Sequence, residues 1–301
     1  MDLVRVVLLA ILQGVTELFP VSSLGHTVII PGLLGWRDTI ESPTFLPLVV
    51  MLHLGTAVAL LTFFWRDWRD LLVAGTRVVV AGRFTPDVDP NGHGRQLLLV
   101  IVGTIPAGLV GLIFKKPLER LFSAPLAVAV FLILNGGVLL LSEYLWRQRY
   151  GDKVARLAGD VPSGEVGASL ADLTFVQAAL IGFAQVGALF PGLSRSGLTM
   201  VAGMVNGLSH EASARFSFLL ATPLIAAAGV LEVPELLKAG AGTFMLALLG
   251  GVVAGIAAYL SVRFLMRYFE TQRLNPFAYY CIAFGSFSAL YFLLQRMGVV
   301  G

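Results

Sequence analysis

Gln13 and Glu17 lie four residues apart in ILQGVTELFP and so share one face of a helix. Pro20 follows, and VSSLGH then sets Ser22 four residues and Ser23 three residues before His26, so a helix begun at the serines carries both hydroxyls on the histidine's side. A second such place is PGLSRSGLT, where Pro191 and Gly192 precede Ser194, Arg195, Ser196, Gly197 and Thr199. These residue types suit phosphoryl transfer. A serine can attack phosphorus, a histidine or carboxylate can move its proton, and the planar fork of an arginine fits phosphate oxygens and the charge developing on them. The backbone contributes as well, because proline ends one helix and serine caps the next, and a helix start presents unpaired N–H groups and the positive dipole end to an anion. Two such starts brought together would suit an anion with more than one phosphate. The chain has no Walker loop, no Cys/His zinc pattern and no run of clustered aspartates.

Each of these residues also has a purely structural use. Ser22, Ser23, Ser194 and Ser196 can cap helices and do nothing more, and Glu17 can serve as the ion-pair partner that Arg195 needs inside a membrane. His53, in MLHLGTAVALL, reads as an interhelical hydrogen bonder or wall residue, and Asn135 and Glu143 fall in the same class. Glu211 and Arg215 read as an ion pair on a helix surface. The chemical reading is favoured by coincidence, since proline, serine, histidine and arginine gather where an internal repeat places them.

The elements that must position these groups belong in a bilayer. Of 301 residues, 57% are hydrophobic and 13% charged, with a mean hydropathy of +0.84; the charged share is about half that of a soluble domain. Apolar runs able to cross roughly 30 Å of hydrocarbon cover Phe45–Phe64, Leu97–Phe114, Pro125–Leu145, Phe216–Leu231, Phe244–Leu265 and Phe277–Leu294. The opening MDLVRVVLLAILQGVTELFP has a basic residue before its apolar stretch but no small-residue cleavage site, and is expected to stay in the mature protein. Cys281, the only cysteine, excludes an intramolecular disulfide and a cysteine-rich metal site. A formal net charge of +3, dispersed along the chain, gives no footprint for nucleic acid.

Two more segments, 10–34 and 177–208, are apolar helices broken by proline and followed at once by a Ser/Gly-rich second helix. At an offset of 172, Gln13 falls on Gln185, Ser22 on Ser194, Gly25 on Gly197 and Thr27 on Thr199. Interrupted hydrophobic segments at matching places in two halves point to repeats around a midplane site. If each is a re-entrant hairpin, each half has three spans and the second half is inverted. The expected fold is therefore an all-α polytopic membrane protein of two inverted-topology repeats, each three spanning helices plus a re-entrant helical hairpin. Residues 1–149 form the first repeat, with the hairpin at 10–34 and spans near 45–64, 97–114 and 125–145. Residues 150–301 hold a linker and the second, with the hairpin at 177–208 and spans near 214–232, 243–265 and 277–297, the whole making one integrated membrane domain. On this topology one face carries twelve Lys and Arg residues (Arg66–Arg95, Arg147–Arg156 and Arg263–Arg273) and the other seven, including Arg5, Lys115, Lys116 and Arg120. The positive-inside tendency then puts both termini outside the cytoplasm.

The motifs resemble a known family. QGVTELFPVSSLGH is similar to the (E/Q)xxxE signature and following P-V-S-S-x-G-H of bacterial undecaprenyl-diphosphatases of the bacitracin-resistance type, and PGLSRSGLT to their PGxSRSxxT. LGT at Leu54–Thr56, GTIPAGLVGLIF at Gly103–Phe114 and ARFSFLLATP at Ala214–Pro223 extend the resemblance over nearly the whole chain. Gln13 takes the first position of the carboxylate motif, leaving Glu17 as its only carboxylate.

This resemblance implies hydrolysis of undecaprenyl diphosphate to the monophosphate lipid carrier of cell-wall polymers, in the bacterial plasma membrane, at a site open to the outer side. Carried over residue by residue, it gives Glu17, Ser23, His26 and Arg195 as catalytic, and Gln13, Ser22, Thr27, Ser194, Ser196, Gly197 and Thr199 as binding or supporting groups. It implies help from a divalent cation, Mg2+ or Ca2+, held by the diphosphate together with Glu17 in the absence of a closed ligand set. The partners are the lipid substrate and membrane lipid, and the reading admits a homodimer. The polar groups then line a cavity for a charged headgroup while the tail stays in lipid between the spans. Whether Ser23 or a water attacks, and whether His26 is a base or an orienting group, stays open. A transporter of polyprenyl phosphate using the same cavity is the alternative from another class. A phosphatidate-type phosphatase is prompted by SSLGH and SR, but His210 follows Arg195 by fifteen residues and the upstream Lys…Arg-Pro element is missing.

Overall fold

The computed structural model describes residues 2–40, 42–119, 124–156, 166–238, 240–271 and 273–299; Arg120 and the 157–165 part of the linker lie outside them. Its helices are α1 (Leu3–Thr16), α2 (Ser23–Leu33), α3 (Arg37–Ile40), α4 (Phe45–Phe63), α5 (Trp65–Ala81), α6 (His93–Glu119), α7 (Pro125–Arg156), α8 (Phe175–Ala184), α9 (Arg195–Val205), α10 (His210–Lys238), α11 (Ala241–Thr271) and α12 (Asn275–Arg296). Among the described residues the β-structure is one isolated bridge, Ala168 to Leu208. Six helices, α4, α6, α7, α10, α11 and α12, are long and apolar enough to cross a membrane. They coincide with the six apolar runs.

Several helices outrun those runs because caps are recruited from polar flanks. Asp89 accepts from the amides of Gly94 and Arg95 at 3.1 and 3.0 Å and so starts α6 at His93, and the Ser209 hydroxyl accepts from Ala212 N–H at 3.1 Å at the start of α10. α7 has 32 residues, about 48 Å at 1.5 Å per residue, well beyond the hydrocarbon. Its extension is used: Tyr150 donates to the Gly207 carbonyl at 3.2 Å and Arg149 to that of Val205 at 3.4 Å, at the end of α9.

The basic stretch 66–95, which follows the first apolar run, holds α5. Leu71, Gly75 and Val78 recur at helical spacing and are its buried residues. Arg215 of α10 binds Asp67 of α5, while its i,i+4 contact to Glu211 is 4.0 Å. The pair expected on one helix surface is present, and Arg215 also ties two helices together.

Both broken segments fold as two short helices around an irregular break. α1 ends at Thr16 and α2 starts at Ser23 after Pro20; α8 ends at Ala184, a 3-10 turn covers Gln185–Leu189, and α9 starts after Pro191 and Gly192. α1 packs on α2 and α11, α8 on α9 and α6, and α4 on α10 and α11. Small residues permit the closest of these approaches: a Cβ at Gly55 of α4 would collide with the Gly251 carbonyl of α11.

Candidate active site

Glu17 ends α1 with its amide on the Gln13 carbonyl at 2.9 Å, so its side chain enters the break one turn below Gln13. Four groups meet its carboxylate. Gln13 Nε2 donates to Oε2 at 2.9 Å, the Ser23 hydroxyl donates to the same oxygen, Arg195 Nη2 donates to Oε1 at 2.5 Å, and His53 Nε2 stands 3.2 Å from Oε2. Glu17 is buried, with 7% of its surface exposed, and its charge is met by two basic side chains, the pairing a carboxylate in hydrocarbon requires. Arg195 Nη1 and Gln13 Oε1 are buried with no hydrogen-bond partner.

The two breaks are built alike and lean on one another. Ser22 caps α2 by accepting from Gly25 N–H at 3.2 Å, and Ser194 caps α9 by accepting from Gly197 N–H at 3.1 Å. A Cβ on Gly25 would come within 3.2 Å of Gly192 Cα, and one on Gly197 within 3.3 Å of Pro20 Cβ, so each helix start packs closely on the opposite break. The Ser22 hydroxyl also accepts from Gly192 N–H at 3.2 Å. Ser196 donates to the Phe19 carbonyl at 3.1 Å, and Thr199 donates to the Arg195 carbonyl at 2.7 Å, within reach of the Ser217 hydroxyl. Asn135 of α7 joins the breaks, its Nδ2 donating to the Pro20 carbonyl at 2.9 Å and its Oδ1 accepting from Ser194 N–H at 3.0 Å.

A cavity of about 400 Å³ opens at this junction. Its polar end is Glu17, Ser22, Ser23, His53, Gln185, Ser194 and Arg195, and its other walls are aliphatic, from α4 (Leu46, Val50), α6 (Ala107, Gly108, Gly111, Leu112) and α10 (Leu224, Ile225, Ala227, Ala228, Leu231). Gln185 is anchored by Nε2 to the Gly103 carbonyl at 3.0 Å, with Oε1 unpartnered. The arrangement accepts an anionic head at one end and hydrocarbon along the other.

Glu17, Ser23 and Arg195 thus come together with Gln13, and Ser22 and Ser194 stand at the rim. Thr27, Ser196, Gly197 and Thr199 support the backbone and do not line the cavity. His26 departs from the pairing its spacing suggested. Its Nδ1 donates to the Ser22 carbonyl at 2.7 Å, its Nε2 lies 2.7 Å from the Tyr280 hydroxyl, and its ring stacks on Tyr280 and Phe284 of α12. Ser23, as the first residue of α2, points back to α1, whereas His26 one turn on faces α12. Two residues reach the site from other helices, His53 from α4 and Asn135 from α7. The sequence signal for each is a lone polar group in an apolar run, which gives its presence but not its target. Glu143 pairs with His210 in a separate buried contact between α7 and α10.

Among the described residues no three His, Cys, Asp or Glu side chains gather to hold a metal ion. Glu17, the one carboxylate on the cavity, has both oxygens already engaged.

The description of the family model that matches residues 6–287 is "Bacitracin resistance protein BacA". The chain belongs to the BacA family. Undecaprenyl-diphosphatase of Acidiphilium cryptum is 50% identical over 290 residues, covering 94% of this chain and 96% of that protein. Undecaprenyl-diphosphatase 2 of Chromobacterium violaceum is 47% identical over 299 residues, and undecaprenyl-diphosphatase 2 of Burkholderia ambifaria 49% over 300, covering 98% and 99% of this chain and 100% of each relative. The BacA model starts within α1 and ends within α12, so both breaks and all of the cavity lining fall inside the matched region.

Proposed function

We propose that the chain is an undecaprenyl-diphosphate phosphatase, which hydrolyses undecaprenyl diphosphate to undecaprenyl phosphate and inorganic phosphate. The names of its BacA-family relatives support this, and one observation carries it in the molecule. The Ser23 hydroxyl, the Glu17 carboxylate and the Arg195 guanidinium converge at the polar end of a cavity whose other walls are hydrocarbon.

In the reaction we assign, Ser23 Oγ attacks the terminal phosphorus while Glu17 takes its proton. The bond from that phosphorus to the bridging oxygen breaks, and undecaprenyl phosphate departs with the electron pair and with the proton from Glu17. Arg195 meets the charge developing on the transferring oxygens, as do the N–H groups at the starts of α2 and α9. Glu17 next takes a proton from water attacking the phosphoserine and gives it to the departing Ser23 oxygen, which frees phosphate. His26, bonded to the Ser22 carbonyl, orients the start of α2, and Gln13 and His53 fix the Glu17 carboxylate. A divalent cation, Mg2+ or Ca2+, would be held by the diphosphate together with Glu17 and would neutralise part of the diphosphate's charge. Both breaks are read as re-entrant hairpins of two inverted repeats in the plasma membrane, with the site open to the outer side; the twin caps at Ser22 and Ser194 and the excess of basic residues on the opposite face support that arrangement.

The test is phosphate release from undecaprenyl diphosphate by purified protein in detergent, where sidedness is lost and a carrier would show no activity. Ser23→Ala should abolish release, and acid quench of the wild type should trap phosphoserine. Near-normal release by Ser23→Ala would assign the attack to water, and no release by the wild type would refute the reading.

A further inference from the structure

The reactive cavity has a neighbour along α6. A second hollow, of about 350 Å³, lies toward the N-terminal end of that helix, with Trp68 of α5, Ile101, Ile105 and Leu109 of α6 and Pro223 of α10 among its walls. The two hollows share Gly108 and Leu112. At the shared point a Cβ on Gly108 would meet nothing within 4 Å, so bare backbone and open space separate them. The second hollow is lined by hydrocarbon, and its one hydroxyl, on Thr104, is turned back onto the Val100 carbonyl at 2.7 Å.

We infer that the hollows form one track, and that the polyprenyl tail of the substrate leaves the cavity over Gly108 and lies along α6 as far as Trp68. This rests on the substrate proposed above and adds the path of its tail. The occupant follows from continuity: a headgroup held by Ser23 and Arg195 fixes one end of a chain far longer than the cavity, and Gly108 is where the cavity runs on into a second apolar surface. A tail in a bilayer is already in hydrocarbon, so the groove gains little over bulk lipid by burial itself. Its contribution is an unobstructed exit from a fixed head. Filling the exit must therefore penalise long chains more than short ones.

Ile105 lines the second hollow only and is 50% exposed, so Ile105→Trp fills the track without entering the cavity. Gly108→Leu narrows the junction, into open space. Leu141→Trp, on an exposed position of α7 outside both hollows, is the control. The readout is the ratio of kcat/KM for undecaprenyl diphosphate to that for farnesyl diphosphate in lipid nanodiscs. Ile105→Trp and Gly108→Leu should each lower that ratio about tenfold, equivalent to ~1.4 kcal/mol, and Leu141→Trp should leave it unchanged. An unchanged ratio in both track variants, or an equal fall with Leu141→Trp, overturns the track while leaving the proposed function standing. A wild type that hydrolyses neither diphosphate removes the proposed function and the track with it.

Discussion

Ser22 is, among the described residues, the only non-glycine with positive φ, at φ 67 and ψ 97. Such a conformation costs about 1–3 kcal/mol for a residue with a Cβ. The hydroxyl offsets that cost by accepting from Gly25 and Gly192 N–H groups, both at 3.2 Å in buried surroundings. Ser22→Ala keeps the backbone cost, loses the cap at about 1 kcal/mol and leaves the Gly192 N–H unpaired at about 1–3 kcal/mol, a total of about 2–4 kcal/mol. Ser22→Gly also strands Gly192, but glycine at the cap costs only a few tenths of a kcal/mol, and the backbone cost of about 1–3 kcal/mol disappears. The glycine variant should therefore be more stable than the alanine variant by ~2 kcal/mol, a difference on the order of 4 °C in Tm for a chain of this size. Thermal unfolding in detergent, followed by circular dichroism, measures it. An alanine variant as stable as the glycine variant would refute the strain, and wild-type stability in both would refute the hydroxyl's link to Gly192.

Three further outcomes follow from the same geometry. Arg195→Lys offers one nitrogen where Nη2 holds Glu17 and Nη1 is free, so turnover should fall more than about tenfold, over ~1.4 kcal/mol, with substrate affinity falling less; rate and Kd measured together decide, and unchanged turnover with weaker binding would make Arg195 a docking group. Asn135→Leu leaves the Ser194 N–H and the Pro20 carbonyl without this partner, so it should lower stability by about 2–4 kcal/mol and turnover with it; an unchanged Tm would show that the breaks hold together without it. Cysteines placed at Asp38 and Lys238 should react with an impermeant thiol reagent on intact cells and one at Gly151 should not, against a low background because Cys281 is buried; labelling at Gly151 alone would reverse the topology.

The spans were readable because a run such as Phe45–Phe64 needs only length and hydrocarbon character to become a helix in lipid. Pro20 and Pro191 marked the breaks, since a missing donor and a fixed φ act locally, and the serines after them cap as their type suggests. α5 is harder to read because its apolar residues are interleaved with Arg and Asp, although Leu71, Gly75 and Val78 keep helical spacing. Partners across the fold were harder to read. The three-residue spacing of Ser23 and His26 suggested a working pair, but at a helix start one turn separates a side chain facing α1 from one facing α12. His53 and Asn135 looked like ordinary membrane polar residues, and what gives them their targets is the packing of α4 and α7 around the breaks.

The junction of the two breaks is bolted in four places: Glu17 to Arg195, Ser22 to Gly192, Ser196 to Phe19, and Asn135 to both Pro20 and Ser194. A machine that rocked one break away from the other would strand the Arg195 guanidinium in hydrocarbon, at several kcal/mol, and leave Glu17 only Gln13, Ser23 and His53, before any cargo moved. A joint locked in this way should deny the headgroup a passage to the far side and make it enter and leave by one door. The product keeps the tail and one of the two phosphates, and it occupies that door until it diffuses off. Accumulated undecaprenyl phosphate should then slow its own formation, and turnover should rise as the next consumer of the carrier clears it from the surrounding membrane.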